Sequence, residues 1–355
     1  MLRMPYTQAG VPMLPSMNPT RLLVVVMAAL SVLASGCGVS DDSGESITVY
    51  SGRSPELIQH LLDQLSEATG IEVEARFGDS AELALLISTE GNASPADVFI
   101  SQSPGALGLL AGEGRLASLD ADLISLVNEG FAAADGTWVG LTGRVRVIVY
   151  NSDLVDPADL PDSVLDLVDE RYAGRVGVAP TNGSFQDFVT AMRNELRDDA
   201  TLEWLEGMAA NDSPNYPKSS PIVEAVGRGE IDMGLVNHYY NLRALEADPS
   251  VPSVNHFFPD DDLGSLVIVT GGAVLASADA DSARAAHELL TFLLSADAQS
   301  TFAAETQEYP LLPGIAAPAG LPTLDGLAAG TIDYDLLGDG LKGTIDLIRE
   351  SGIER

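Results

Sequence analysis

Two adjacent tyrosines, Tyr239 and Tyr240, stand in the segment VNHYYN (236–241), with Asn237, His238 and Asn241 around them and an apolar run before them. Phenolate is a hard anionic oxygen donor that suits a hard trivalent cation such as Fe³⁺, whereas a soft metal would call for Cys or Met. Read for chemistry, the pair is a candidate ferric site; read for packing, it is an aromatic contact, and the dipeptide alone leaves both open. A second polar segment, NGS at Asn182, Gly183 and Ser184, precedes a run of helical period over 185–193. At a helix start, free N–H groups and the macrodipole favour an anion. The same residues also make an ordinary turn and N-cap. His238 is a further candidate donor, or a neighbour packed away from the cleft. Arg53 and Arg144 are candidate partners for an anion or a phenolate, or members of ordinary ion pairs. Enzyme signatures are missing: there is no P-loop, no G-x-G-x-x-G after a strand, no G-x-S-x-G, no H-E-x-x-H and no C-x-x-C. His60, His238, His256 and His287 are not spaced as a zinc pair. On these residues an enzyme is the weaker reading.

The elements that must position these residues alternate in type. ITVY (47–50) reads as a buried strand, and Leu57, Ile58, Leu61, Leu62 and Leu65 mark a helix over 56–69 that Gly70 stops. A strand over 71–76, a helix over 80–90 and the strand ADVFI (96–100) complete a βαβαβ start. Such units leave a crevice beyond the carboxyl ends of their strands, where ligands bind. From Gly143 a second region opens with VRVIVY (145–150) and continues through strands at 175–179 and 231–236, and 267–274 reads as a strand leading back. The expectation is a two-lobed α/β protein. Each lobe is a mostly parallel sheet flanked by helices, with a hinge and a ligand cleft between the lobes. Lobe one takes 46–142 and about 270–320, lobe two takes 143–269, and 321–355 packs on the lobes. No repeat with a period of 20 to 50 residues is present.

The longest apolar run, 22–33, follows Arg21 and leads into Ala34, Ser35, Gly36 and Cys37. It is too short to span a membrane, which takes roughly 20 residues, and reads as an export signal over 1–36, with Met17 as a candidate translation start. The cleavage region resembles a bacterial lipobox with Cys37 as the lipidated residue, although Ala34 stands where Leu is usual; an ordinary signal peptide is the other reading. The polar stretch 37–45 then forms a flexible tether, and the body is extracytoplasmic and anchored to the cell membrane. Cys37 is the only cysteine, so no internal disulfide forms. The 355 residues are 46% hydrophobic, enough for two domains, and carry 18 Lys and Arg against 52 Asp and Glu, a net charge of −34. That balance repels nucleic acid and suits a soluble monomer.

Seven motifs run in one order: VYSGRS (49–54), SPADVFISQ (94–102), GRVRVIVYN (143–151), APTNGSF (179–185), YPKSS (216–220), VNHYYN (236–241) and EYPLLPG (308–314). Together they resemble the bacterial ferric-iron-binding proteins of ABC importers, members of the periplasmic binding-protein superfamily, from about residue 47 to 315. The resemblance implies that Tyr239 and Tyr240 are tyrosinate ligands to Fe³⁺. It implies a synergistic anion such as carbonate or phosphate, held by Asn182, Gly183, Ser184, Ser219 and Asn237, and delivery of the iron to an ABC transporter permease. Some members place a His where this chain has Ser54 and a carboxylate where it has Gln102; others supply a third Tyr from the anion loop, which has none here. The implied sphere is two phenolates, the anion and water, or another donor such as His238. Ser54, Arg53, Gln102, Arg144 and His238 are then expected around it. The rival reading keeps the fold and changes the cargo to an oxyanion, phosphonate, polyamine or thiamine-like ligand.

Overall fold

Strand β1 (Ser46–Ser51) lies between β2 (Glu72–Phe77) and β3 (Val98–Ser101), parallel to both. The structure, a computed structural model, describes residues 45–128, 130–259, 262–324 and 335–355; the leader, Cys37 and nearly all of the tether lie outside the described residues. Helix α1 (Gln59–Thr69) links β1 to β2 and buries Leu61, Leu62 and Leu65; Gly70, at φ 79, ends it in the left-handed conformation that glycine adopts without penalty. Helix α2 (Ser80–Glu90) returns the chain to β3, and α3 (Pro104–Gly112) follows with Ser103 as its N-cap.

After the short helix α4 (Ala121–Ile124), the chain enters β4 (Val139–Asn151), which is buried along its whole length. Its first half pairs antiparallel with β8 (Val267–Val274), and its second half with β6 (Met233–Asn237) and β7 (Ser253–His256). One strand therefore serves two half-sheets. The order is β2-β1-β3-β8-β4-β6-β5, where β5 is Val176–Gly177, with β7 and β9 (Tyr309–Pro310) also on β4. The sheet is mixed. Among the described strands, parallel pairing is confined to β1 with β2 and β3 and to β5 with β6. The antiparallel strand pairs among the described strands all involve β4 or β8, which carry the chain out of the first half-sheet and back.

The return strand spans the expected 267–274, but β4 begins six residues before the expected 145. The residues VGLTGR hide its start, because two glycines and an arginine break the apolar pattern that marks a strand. Gly140 has a structural reason: its N–H donates to the Phe131 carbonyl at 2.7 Å, and a Cβ there would stand 2.6 Å from that oxygen.

Helix α5 (Gly183–Ala210) runs well past the expected 185–193 and is interrupted at Arg197 (φ 72). Helices α6 (Ser219–Gly227) and α7 (His238–Ala247) flank β6, and α8 (Ala280–Leu293) and α9 (Ala296–Thr301) follow β8. The last helix, α10 (Asp335–Ser351), packs on both α3 and α5. Arg193 of α5 donates to the Gly340 carbonyl at 2.7 Å, and the Thr190 and Thr344 hydroxyls are 2.7 Å apart. Among the described residues no helix is long and apolar enough to cross a membrane.

Candidate functional site

Strand β6 ends at Asn237, whose extended backbone (φ −89, ψ 144) caps α7, so Tyr239 and Tyr240 fall in the first helical turn. Neighbours on a strand point to opposite faces, but neighbours on a helix are about 100° apart and can share one wall. The two rings stack with centroids 4.2 Å apart and an interplanar angle of 28°. Tyr239 is 1% exposed, and burial, followed by the adjacent Tyr240, pushes its phenol well above the ordinary value; Arg144 pulls the other way. Without a cation beside it, Tyr239 stays protonated.

Both rings face a small cavity of about 40 Å³. Its first side comes from the carboxyl ends of β1, β2 and β3: Gly52, Asp79 and Ser80, Gln102 and Ser103. Its other side brings Asn182, Gly183 and Ser184 from the start of α5, with Asn237 from β6 and Arg144 from β4. The cavity lies beyond the strand ends where α/β proteins hold ligands. The Asn182 side chain accepts from the Ser184 N–H at 3.1 Å, and the Asn237 amide donates to the Ser184 hydroxyl at 3.0 Å. Arg144 is buried, donates to the Thr270 hydroxyl at 3.3 Å and to the Gln102 carbonyl, and leaves its Nε without a partner. A guanidinium so placed is suited to an anion.

Four residues expected near the site are elsewhere. His238 is fully buried: its Nδ1 accepts from the Val145 N–H at 3.1 Å, and its Nε2 donates to the Gln307 carbonyl at 2.7 Å. With both ring nitrogens engaged, and burial holding its pKa down to about 4, it is a neutral clamp between β4 and the approach to β9, not a metal donor. Arg53 forms a fully buried ion pair with Glu308 at 2.5 Å and donates to Thr142 and Thr270, both at 3.2 Å, so its charge is spent where β4 and β8 cross. Ser54 precedes a 3₁₀ turn (Pro55–Leu57) and bonds to Glu56, and Ser219 begins α6; neither lines the cavity.

Asp79, Ser80 and Ser103 line the cavity without having been singled out from the sequence. The only signal at Asp79 is DSAE (79–82), which has the form of a helix N-cap, and Asp79 does cap α2. Behind the cavity, Ser103 donates to buried Asp187 of α5 at 2.8 Å, joining the two sides. Burial raises the Asp187 carboxyl to about 7 against the pull of Ser103 and Arg144. Arg146 lies over the rings of Phe185 and Phe188 at 5.6 and 5.0 Å. Among the described residues no group of three His, Cys, Asp or Glu could hold a metal, so metal chemistry here rests on the phenols.

This fold, with its cleft between two half-sheets, belongs to a solute-binding class, and the chain is a member of the family described as bacterial extracellular solute-binding protein, which it matches over residues 93–335. It is 33% identical over 329 residues to the major ferric iron-binding protein of Neisseria meningitidis serogroup B, covering 91% of this chain and 98% of that one. It is 31% identical over 334 residues to the Fe(3+)-binding periplasmic protein of Serratia marcescens, covering 93% and 97%. Iron-bound HitA from Pseudomonas aeruginosa superposes with a TM-score of 0.82 at 33% identity, over 87% of this chain and 99% of HitA.

Proposed function

We propose that this protein captures ferric iron outside the cytoplasm, together with a synergistic anion such as carbonate or phosphate, and delivers it to an ABC transporter permease. The observation that carries the reading is the stacked Tyr239–Tyr240 pair on the wall of a cavity of about 40 Å³, facing Arg144 and the Asn182–Ser184 helix start. Pockets for organic ligands run roughly 300–1,000 Å³, so the size favours an ion with small oxygen ligands over a phosphonate, polyamine or thiamine-like cargo. The named ferric-binding relatives support the same choice. Tyr239 and Tyr240 act as phenolate ligands, while Asn182, Gly183, Ser184 and Asn237, with Arg144, hold the anion. The lobes are 46–142 with about 270–320, and 143–269; β4 and β8 cross between them as the hinge, and 321–355 packs on both. The body is held at the membrane through lipidated Cys37 and works as a monomer, in a binding role without catalysis.

Ferric titration of the soluble protein with carbonate or phosphate present tests this. A visible phenolate-to-iron band should appear, and Tyr239→Phe and Tyr240→Phe should each weaken or abolish it while keeping the fold. Each ligating phenol must release its proton, so affinity should fall as pH falls. A colourless protein that binds no iron with either anion would overturn the reading.

A further inference from the structure

We propose that Asp79 is a third protein ligand to the bound metal, supplying the carboxylate that brings the tyrosine site to charge neutrality; the inference rests on the ferric reading above. Among the described residues lining the cavity, Asp79 is the only one with a carboxylate. Its position is fixed from two sides. The Gln102 N–H donates to the Ser80 hydroxyl at 3.0 Å, tying the turn before α2 to the end of β3. A Cβ on residue 52 would come 2.0 Å from that hydroxyl, so the turn can close on the end of β1 because glycine stands there. Asp79 Oδ1 is occupied by the Ala81 and Glu82 N–H groups at 2.9 and 3.5 Å. Oδ2 has no hydrogen bond among the described residues and remains available to a guest.

Charge gives the reason for a third anionic donor. Fe³⁺ with two phenolates leaves one positive charge, and buried Arg144, lining the same cavity, adds another. Two net positive charges side by side in so small a cavity are unfavourable. The anion, bound in its singly charged form as bicarbonate or dihydrogen phosphate, cancels one of them. Gln102, Asn182 and Asn237 are neutral amides, so the remaining negative charge comes from Asp79. A carboxylate oxygen also matches the hard-donor preference of the cation.

The test compares wild type, Asp79→Asn, Asp79→Asn with Gln102→Glu, and Tyr239→Phe, by chelator competition for ferric iron at fixed carbonate and by the visible spectrum. Asn caps a helix as well as Asp does, so the fold of α2 is retained, which thermal melting of the metal-free proteins verifies. Asp79→Asn should bind iron more than tenfold more weakly, with its band moved to longer wavelength, because losing an anionic donor leaves the iron more electron-poor. Adding Gln102→Glu should restore most of both. An Asp79→Asn protein equal to wild type, beside a Tyr239→Phe protein that has lost its band, would overturn the Asp79 assignment and leave the ferric reading standing. A weaker Asp79→Asn protein with an unmoved band and no rescue would show a remote electrostatic effect, and would also overturn it. Absence of any band in wild type would remove the ferric reading and this inference with it.

Discussion

His238 and Asp187 are buried groups of opposite habit. Burial lowers the His238 pKa from 6.5 to about 4, so below pH 6.5 the unfolded chain takes up a proton that the folded one refuses. This contribution is complete above pH 6.5 and is lost as pH falls toward 4, to the extent of about 3 kcal/mol. Asp187, raised from 3.8 to about 7, acts in the reverse sense: the folded state holds a proton that the unfolded state has lost, so its ionisation destabilises the fold as pH rises. A difference measurement separates them. In denaturant titrations of the metal-free protein at pH 7.5, 5.5 and 4.5, His238→Gln should be less stable at pH 7.5, yet lose about 2.5 kcal/mol less on acidification to pH 4.5 than wild type. Parallel pH curves would count against this role. The sequence made the tyrosine pair and the NGS segment legible because their neighbours are local. The fate of His238 was not, since its partners, Val145 and Gln307, are 93 and 69 residues away. Asp79 was hidden for another reason: a capping aspartate looks the same in sequence whether or not its second oxygen faces a cleft.

Among the elements, α5 shows how one helix start can serve both folding and binding. Asn182 caps it through the Ser184 N–H, while the Ser184 hydroxyl is tied to Asn237 at the end of β6. Asn182→Ala should destabilise the protein by about 1 kcal/mol, the usual penalty for losing an N-cap. Ser184→Ala should leave stability nearly unchanged while reducing, severalfold, the gain in ferric affinity on adding carbonate or phosphate. Calorimetric melting and paired titrations with and without anion check the two effects; equal anion dependence in wild type and Ser184→Ala would place the anion elsewhere. Most elements were readable from periodicity, as with the strand at 267–274 and the helix ended by Gly70. The start of β4 was not, because it depends on packing: buried Arg144 and Thr142 find partners that a hydropathy pattern does not reveal.

For the molecule as a whole, the crossing of β4 and β8 encloses a fully buried ion pair, Arg53 with Glu308. Burial alone would raise the Glu308 carboxyl, but Arg53, Arg144 and the Thr306 hydroxyl outweigh it and hold it below the ordinary value. Glu308→Gln would strand Arg53 at 1% exposure, and should destabilise the protein by about 3–5 kcal/mol in chemical denaturation. Replacing both, as Arg53→Met with Glu308→Leu, should recover much of that loss; a double variant no more stable than the single one would show that the surrounding hydroxyls, not the charge, set the penalty. The two-lobed α/β class could be read from the order of elements, but the sharing of one strand by both half-sheets could not, because antiparallel partners 126 residues apart leave no local trace.

That shared strand also sets a timetable. The second half-sheet is built almost entirely from the continuous stretch between β4 and β7, whereas β3 pairs Val98 with Val274, across most of the chain. As the polypeptide emerges from a ribosome or a translocation pore, its earliest strands must wait for β8 before their sheet can close, while the later-made half has its partners at hand. The part of the chain that appears first is therefore the part that matures last, and during that interval the edge of β3 is open to the wrong partner.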